Sequence, residues 1–178
     1  MLYHDVSDYL LALLPPKSRL LDLGAGPKAL QSVRFAAAGH RVVAIDQNPA
    51  QIDIVNFDWR TADIGDWLQR AAGNELFDAV LARNSLQFNA ADRVTKIIAP
   101  CIDSVLKPGG LVAMQSFFQP PDPPFAPDRI MSYWKAEKLV DLFQGYDIIS
   151  ARDVVTNRPD MRGVMRRFSL SEALLKNP

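Results

Sequence analysis

The sequence predicts an α/β fold, with an open, mostly parallel sheet and helices on both faces. Three observations carry this. Apolar runs of strand length alternate with stretches of helical periodicity through the 178 residues. The runs "RLLDLG", "RVVAID" and "FDAVLAR" are apolar almost throughout, as strands buried on both faces are. The first run ends in a glycine-rich turn and the second in Asp46. That pattern suits a ligand lying across the carboxyl ends of parallel strands.

The elements follow in order. "DYLLALLPP" reads as a short helix stopped by Pro15 and Pro16. "RLLDLG" is the first strand. Residues 29–38 form a helix carrying Leu30, Val33, Ala36 and Ala37 at helical spacing, closed by Gly39. "RVVAID" is the second strand. A parallel neighbour needs a crossover of about a dozen residues, so the third strand is placed at 57–62, with Asp63 at its end. The connecting helix is expected to be short. "GDWLQRAAG" is a helix and "FDAVLAR" the fourth strand. "ADRVTKIIAPCIDSVL" is a helix interrupted or bent at Pro100. "KPGG" turns the chain into "LVAMQSFF", the fifth strand. "QPPDPPFAPD" is a stiff surface loop, and "SYWKAEKLVDLFQG" a helix ending at Gly145. "YDIISARDVV" and "GVMRRFSLSEAL" form a last, antiparallel pair, with a terminal helix at "SEALLK" left open.

Composition bounds the function. A 48% hydrophobic, 22% charged chain of this length is expected to fold as one domain over residues 1–178. Twenty basic residues balance twenty acidic ones. A broad electropositive face for nucleic acid is therefore not expected. Cys101 is the only cysteine, so neither an internal disulfide nor a cysteine-based metal site is expected. The N-terminal stretch is too short and acidic for a signal peptide, and no apolar run is long enough to span a bilayer. A cytoplasmic protein with no membrane partner is the expectation.

The turn "GAGPKA" lets a ligand approach the backbone closely, and Asp46 stands where a carboxylate can accept from two ribose hydroxyls. Nicotinamide dinucleotides share these features. Three others point elsewhere. Asp22 would repel a pyrophosphate but attract a cationic amino group. Asp63 is placed to accept from an adenine amino group. "FDAVLA" followed by "LKPGGLVAM" completes a recurrent set. A zwitterionic adenosine cofactor without phosphate, S-adenosylmethionine, fits these acids best.

In "LLDLGAGP", "GHRVVAIDQNP", "TADI", "LFDAVLARNSLQF" and "LKPGGLVAM", in that order, the sequence resembles the class I S-adenosylmethionine-dependent methyltransferases. Its size and "GHRVVAIDQNP" look like the tellurite-resistance-type and other small-molecule members. The resemblance implies a Rossmann-like, twisted sheet of seven strands in the order 3-2-1-4-5-7-6, with strand 7 antiparallel. It places Asp22, Gly24, Ala25 and Gly26 around the methionine moiety, Asp46 on the ribose, and Gln47 beside the adenine. Asp63 and Ile64 then face the adenine edge, and Arg83 lines the methionine end through its backbone. The departure is Lys28, where many members have a third glycine. Its ammonium either pairs with the cofactor carboxylate or points into solvent.

Asn84, Gln87 and Phe88, in "RNSLQF" after the fourth strand, are candidates for the methyl acceptor's pocket, and Trp134 is a candidate wall. His4 is a candidate base on an N-terminal lid, while His40 reads as structural. The arginines at 158, 162, 166 and 167 read as a solvated face. The expected function is methyl transfer to a small molecule, in a pocket that is shallow or completed by another copy in a homo-oligomer. A catalytically silent cofactor-binding partner and an RNA or protein methyltransferase are the alternatives.

Overall fold

A computed structural model describes residues 5–124, 131–160 and 162–178. The elements are α1 (Val6–Leu13), β1 (Arg19–Leu23), α2 (Leu30–Ala37), β2 (Arg41–Asp46), β3 (Phe57–Thr61), α3 (Ile64–Ala71) and β4 (Phe77–Arg83). They continue as α4 (Ala91–Arg93), a π turn (Val94–Ile98), α5 (Ala99–Val105), β5 (Leu106–Phe117), α6 (Ala136–Asp141), β6 (Asp147–Pro159) and β7 (Met165–Lys176). The seven strands form one sheet in the order β3-β2-β1-β4-β5-β7-β6. β1 to β5 are mutually parallel, and β7 runs antiparallel to both β5 and β6. The expected order and sense both hold.

Each face of the sheet is covered. On one face Leu21, Leu23, Val43, Ile45 and Val80 pack under α3, α5 and α6. On the other, Leu20, Val42, Ala79 and Leu81 pack under α1 and α2. The strands are apolar on both sides because both sides meet helices. The alternation also aims Asp22, which shares its side with Leu20, at α2. Among the described residues no helix is long and apolar enough to cross a membrane.

Several expectations are corrected. α2 buries Ser32, Phe35 and Ala36, while Leu30 stays exposed. No helix forms between β2 and β3, and residues 47–56 run as a loop. Pro49 removes an N–H there, and the asparagines favour turns over a helix interior. The helix at Pro100 is not broken. It widens into the π turn just before the proline, where Ala99 N–H donates to Val94 O. This wider turn helps accommodate a ring that would crowd an α-helical carbonyl. The "KPGG" turn is absorbed into β5 as an irregularity, where pairing shifts from Phe77 with Leu106 to Ala79 with Leu111. The helix after the proline loop is shorter than expected, covering only Ala136–Asp141. For "SEALLK", left open between strand and terminal helix, the strand reading holds. It lies between β5 and β6 and pairs with both, so ladder bonds on two sides outweigh its helical propensity.

Candidate functional site

The carboxyl ends of β1, β2 and β4 meet at the glycine turn. Gly24 has φ +76°, and a Cβ there would lie 2.4 Å from the Ser85 Cβ. The turn therefore packs against the chain leaving β4 with no space for a side chain. Gly26 has φ +72° and open space where a Cβ would stand. The next left-handed residue is Ala29, at φ 42°, and not Lys28. The turn's third conformational demand thus falls one residue later than a third glycine would, and Lys28 is exposed.

The amides of this turn are already used. Gly24 N–H and Ala25 N–H both donate to Ile45 O, at 2.8 and 3.1 Å. Gly26 N–H donates to Asp46 Oδ2 at 2.9 Å, and Pro27 has none. A phosphate cradle needs such groups free and pointing at the anion. Here they knit β1 to β2 instead, and two carboxylates stand nearby.

Asp22 is 3% exposed and accepts from Ser32 Oγ at 2.5 Å. Burial pushes its pKa up to about 6, against the pull of the Ser32 hydroxyl and the Arg83 charge, while the Asp46 charge adds to the rise. Asp46 Oδ1 accepts from Asn48 through its N–H at 2.9 Å and its Nδ2 at 3.0 Å. Both Asn48 and Gln47 are exposed.

Asp63 caps α3 by accepting from Asp66 N–H at 3.1 Å. It also takes a two-point contact from Arg93, through Nη1 at 3.1 Å and through Nη2, and a bond from Gln47 Nε2 at 2.8 Å. Burial would raise its pKa, but these donors, Arg93 first, hold it below the ordinary carboxylate range. Ile64 follows as the first helical residue, buried beside Gly24. Asp58 is the second residue of β3, away from its carboxyl end, and pairs with Arg60.

Arg83 ends β4, and its side chain pairs with Asp5, which caps α1. Asn84 follows at φ 53°, a conformation that asparagine tolerates better than most residues. Its Nδ2 donates to Gln115 Oε1 at 2.9 Å, and Gln115 Nε2 donates to Glu172 Oε1 at 2.6 Å. Glu172, 3% exposed, is paired with Arg152 and also accepts from Val6 N–H. This polar chain runs from the end of β4 through β5 and β7 to β6.

The acceptor-side candidates divide. Gln87 is fully buried, with Oε1 accepting from Ser116 Oγ at 3.3 Å and Nε2 without a partner. Phe88 is 43% exposed rather than core. Trp134 is buried in the core against the fifth strand, where its N–H donates to Phe117 O and its Nε1 has no partner. Buried Ser85 Oγ and Asn84 Oδ1 also lack partners. Three of these four unpaired atoms belong to the chain after β4, and the fourth belongs to Trp134, two residues from Ser132, whose N–H donates to Gln87 O. Such groups are costly to bury alone, and a polar ligand or water relieves them. His4 lies outside the described residues. His40 is buried beside Phe35 at the amino end of β2, where burial lowers its pKa, in keeping with a structural role. In the arginine group, Arg166 pairs with Asp160 and Arg158 covers the Phe168 ring. These two arginines brace the β6–β7 hairpin. A cleft of about 360 Å³ lies at the opposite, amino edge, lined by Leu14, Lys107, Gly110 and Lys176.

Ser32, Arg93, Gln115 and Glu172 were not anticipated. Only Glu172 left a signal, as a charge inside the apolar run "LSEALL".

The strand order, the reversed seventh strand and the glycine turn define the class I S-adenosylmethionine-dependent methyltransferase fold. The chain belongs to the methyltransferase domain family, whose model matches residues 21–114, just over half of its length. TehB from Haemophilus influenzae has the same fold, with a TM-score of 0.74 and 17% identity, over 97% of this chain and 61% of that one. The chain thus spans 61% of the length of that relative. A Methanosarcina mazei S-adenosylmethionine-dependent methyltransferase matches with a TM-score of 0.73 and 15% identity, over 98% and 99% of the two chains. The Burkholderia thailandensis 1,6-didemethyltoxoflavin-N1-methyltransferase, solved with its substrate and S-adenosylhomocysteine, matches with a TM-score of 0.66 and 18% identity, over 97% and 77%. No curated protein is significantly similar in sequence.

Proposed function

We propose that the chain binds S-adenosylmethionine across the carboxyl ends of β1, β2 and β3 and transfers its methyl group to a small molecule beside β4 and β5. One observation carries the cofactor side. The Gly24, Ala25 and Gly26 amides are consumed by β2, Asp46 accepts from Gly26, and Asp22 lies near enough for the Asp46 charge to act on it. This arrangement is hostile to a pyrophosphate and suits a cationic ammonium and a ribose. The open space over Gly26 leaves room for the cofactor to lie on the backbone.

Under this reading Asp22 accepts from the ammonium and Asp46 from the ribose hydroxyls, with Asn48 swinging clear. Gly24, Ala25, Gly26 and the Arg83 backbone border the methionine moiety. Gln47, Asp63 and Ile64 border the adenine. When bound, the cofactor supplies an electrophilic methyl on sulfur. The chain's share of catalysis is then to align a nucleophile with that methyl and exclude water. Asn84, Ser85, Gln87 and Trp134 offer the polar atoms that position an acceptor, and exposed Phe88 offers a ring at its rim. The balanced charge supports a small acceptor over a nucleic acid. The Burkholderia enzyme, solved with 1,6-didemethyltoxoflavin bound, supports the same choice.

Calorimetry with S-adenosylmethionine and with NAD, side by side, tests the cofactor. Binding of the first alone is expected. Binding of NAD alone would overturn the reading.

A further inference from the structure

Asp63 presents an unusual situation for a residue expected to read adenine. A carboxylate offers about four acceptor positions, and four donors already fill them. Oδ1 receives Arg93 Nη2 and the Asp66 N–H, while Oδ2 receives Arg93 Nη1 and Gln47 Nε2. The donors differ in how easily they can leave. The Asp66 N–H belongs to the first turn of α3. Arg93 makes a forked contact, and its guanidinium lies against Gly65, where an added Cβ would come within 2.6 Å of Nη2. It is also within 3.3 Å of Asp66 Oδ1. Gln47 is the exception, an exposed side chain on the loop after β2, with no helix behind it.

We propose that Arg93 and Gln47 together set the purine selectivity of the cofactor site: Arg93 is a positioning residue that aims the Asp63 carboxylate, and the Gln47 amide is a displaceable stand-in for the exocyclic amino group of adenine. This rests on the reading of the cofactor site given above. Gln47 Nε2 and the adenine amine are both neutral N–H donors, so one replaces the other on Oδ2 at little cost. A purine with an oxygen at that position would turn an acceptor toward the carboxylate and be rejected. It would instead suit the Gln47 amide, which can donate to a carbonyl. Arg93 keeps the carboxylate from rotating to relieve the clash, because a fork fixes orientation where a point charge does not.

The test uses two nucleosides that differ at this atom, S-adenosylhomocysteine and S-inosylhomocysteine, titrated calorimetrically into the full chain. The wild type should prefer the adenosine compound by at least about tenfold, the scale of one hydrogen bond made against one acceptor left facing a carboxylate. Arg93→Lys keeps the charge without the fork, and the preference should fall to within about threefold. Gln47→Ala should move it the other way, because the stand-in for adenine and the donor for the oxo group are both gone. A merely structural role for either residue would not move the ratio in opposite directions. Equal binding by the wild type, or a ratio unmoved by both variants, would overturn the proposal. If the wild type binds neither compound, the cofactor reading itself falls, and this inference with it.

Discussion

Replacing Asp22 by asparagine asks whether a buried carboxylate is kept charged for a ligand. Asp22 is 3% exposed, and burial raises its pKa from an ordinary 3.8 to about 6. The folded state therefore holds this proton more tightly than the unfolded state. Between pH 4 and pH 6 the folded chain binds more protons, so the residue's contribution to stability falls as pH rises through that window. It is fully lost above the folded value. Two units correspond to about 3 kcal/mol, at about 1.4 kcal/mol per unit. Asparagine has similar shape and no charge, and its Oδ1 can still accept from Ser32 Oγ. Asp22→Asn should therefore match the wild type near pH 4 and exceed it by about 1.5 kcal/mol at pH 5. The margin should reach up to about 3 kcal/mol at pH 7.5, less whatever its new N–H₂ loses by burial. Urea unfolding of both proteins across this range measures the difference directly. The same variant should bind S-adenosylmethionine more weakly, by about 1.5–3 kcal/mol, because the bond to the ammonium loses its charge. A variant less stable than the wild type at pH 7.5 would refute the reasoning. It would mean that the folded chain already stabilises the carboxylate and has no need of a cation.

Asp46→Ala should weaken S-adenosylmethionine binding by about 1–3 kcal/mol in calorimetry, since it removes the ribose acceptor and frees the Gly26 N–H. Unchanged affinity in a folded variant would end the ribose assignment. Lys28→Gly should change that affinity by less than about tenfold, or roughly 1.4 kcal/mol, because an exposed ion pair contributes little. A larger loss would identify a carboxylate clamp that closes on binding. Gly24→Ala combines a left-handed backbone, about 1–2 kcal/mol, with a clash against Ser85, about 1–3 kcal/mol. A denaturation midpoint equal to the wild type's would contradict the packing at that turn. Phe35→Ala should cost about 3–5 kcal/mol, and a smaller loss would show that α2 does not anchor the second face.

The parallel strands were legible because their cause is local. A strand covered on both sides must be apolar at nearly every position, and "RLLDL", "RVVAID" and "FDAVLAR" declare this without reference to partners. The crossover rule then put β3 at its observed place and left Asp63 at the end of the strand. The glycine turn, Asp22 and Asp46 were legible for the same reason, as short motifs bound to strand ends. What depended on distant partners was not. "SEALLK" favours helix on its own and becomes strand only between β5 and β6. α2 turned Phe35 inward rather than Leu30, because the sheet beneath it decides which face is buried. Lys28 looked like a missing glycine until the turn was seen to place its left-handed residue at Ala29. The donors that govern the acids came from other elements: Ser32 of α2 on Asp22, Arg93 of α4 on Asp63, and Gln115 of β5 on Glu172. Sequence determines which groups are present and which strand ends carry them. Only the tertiary structure decides which donors reach a carboxylate, because those contacts join segments that local propensity and periodicity treat as independent.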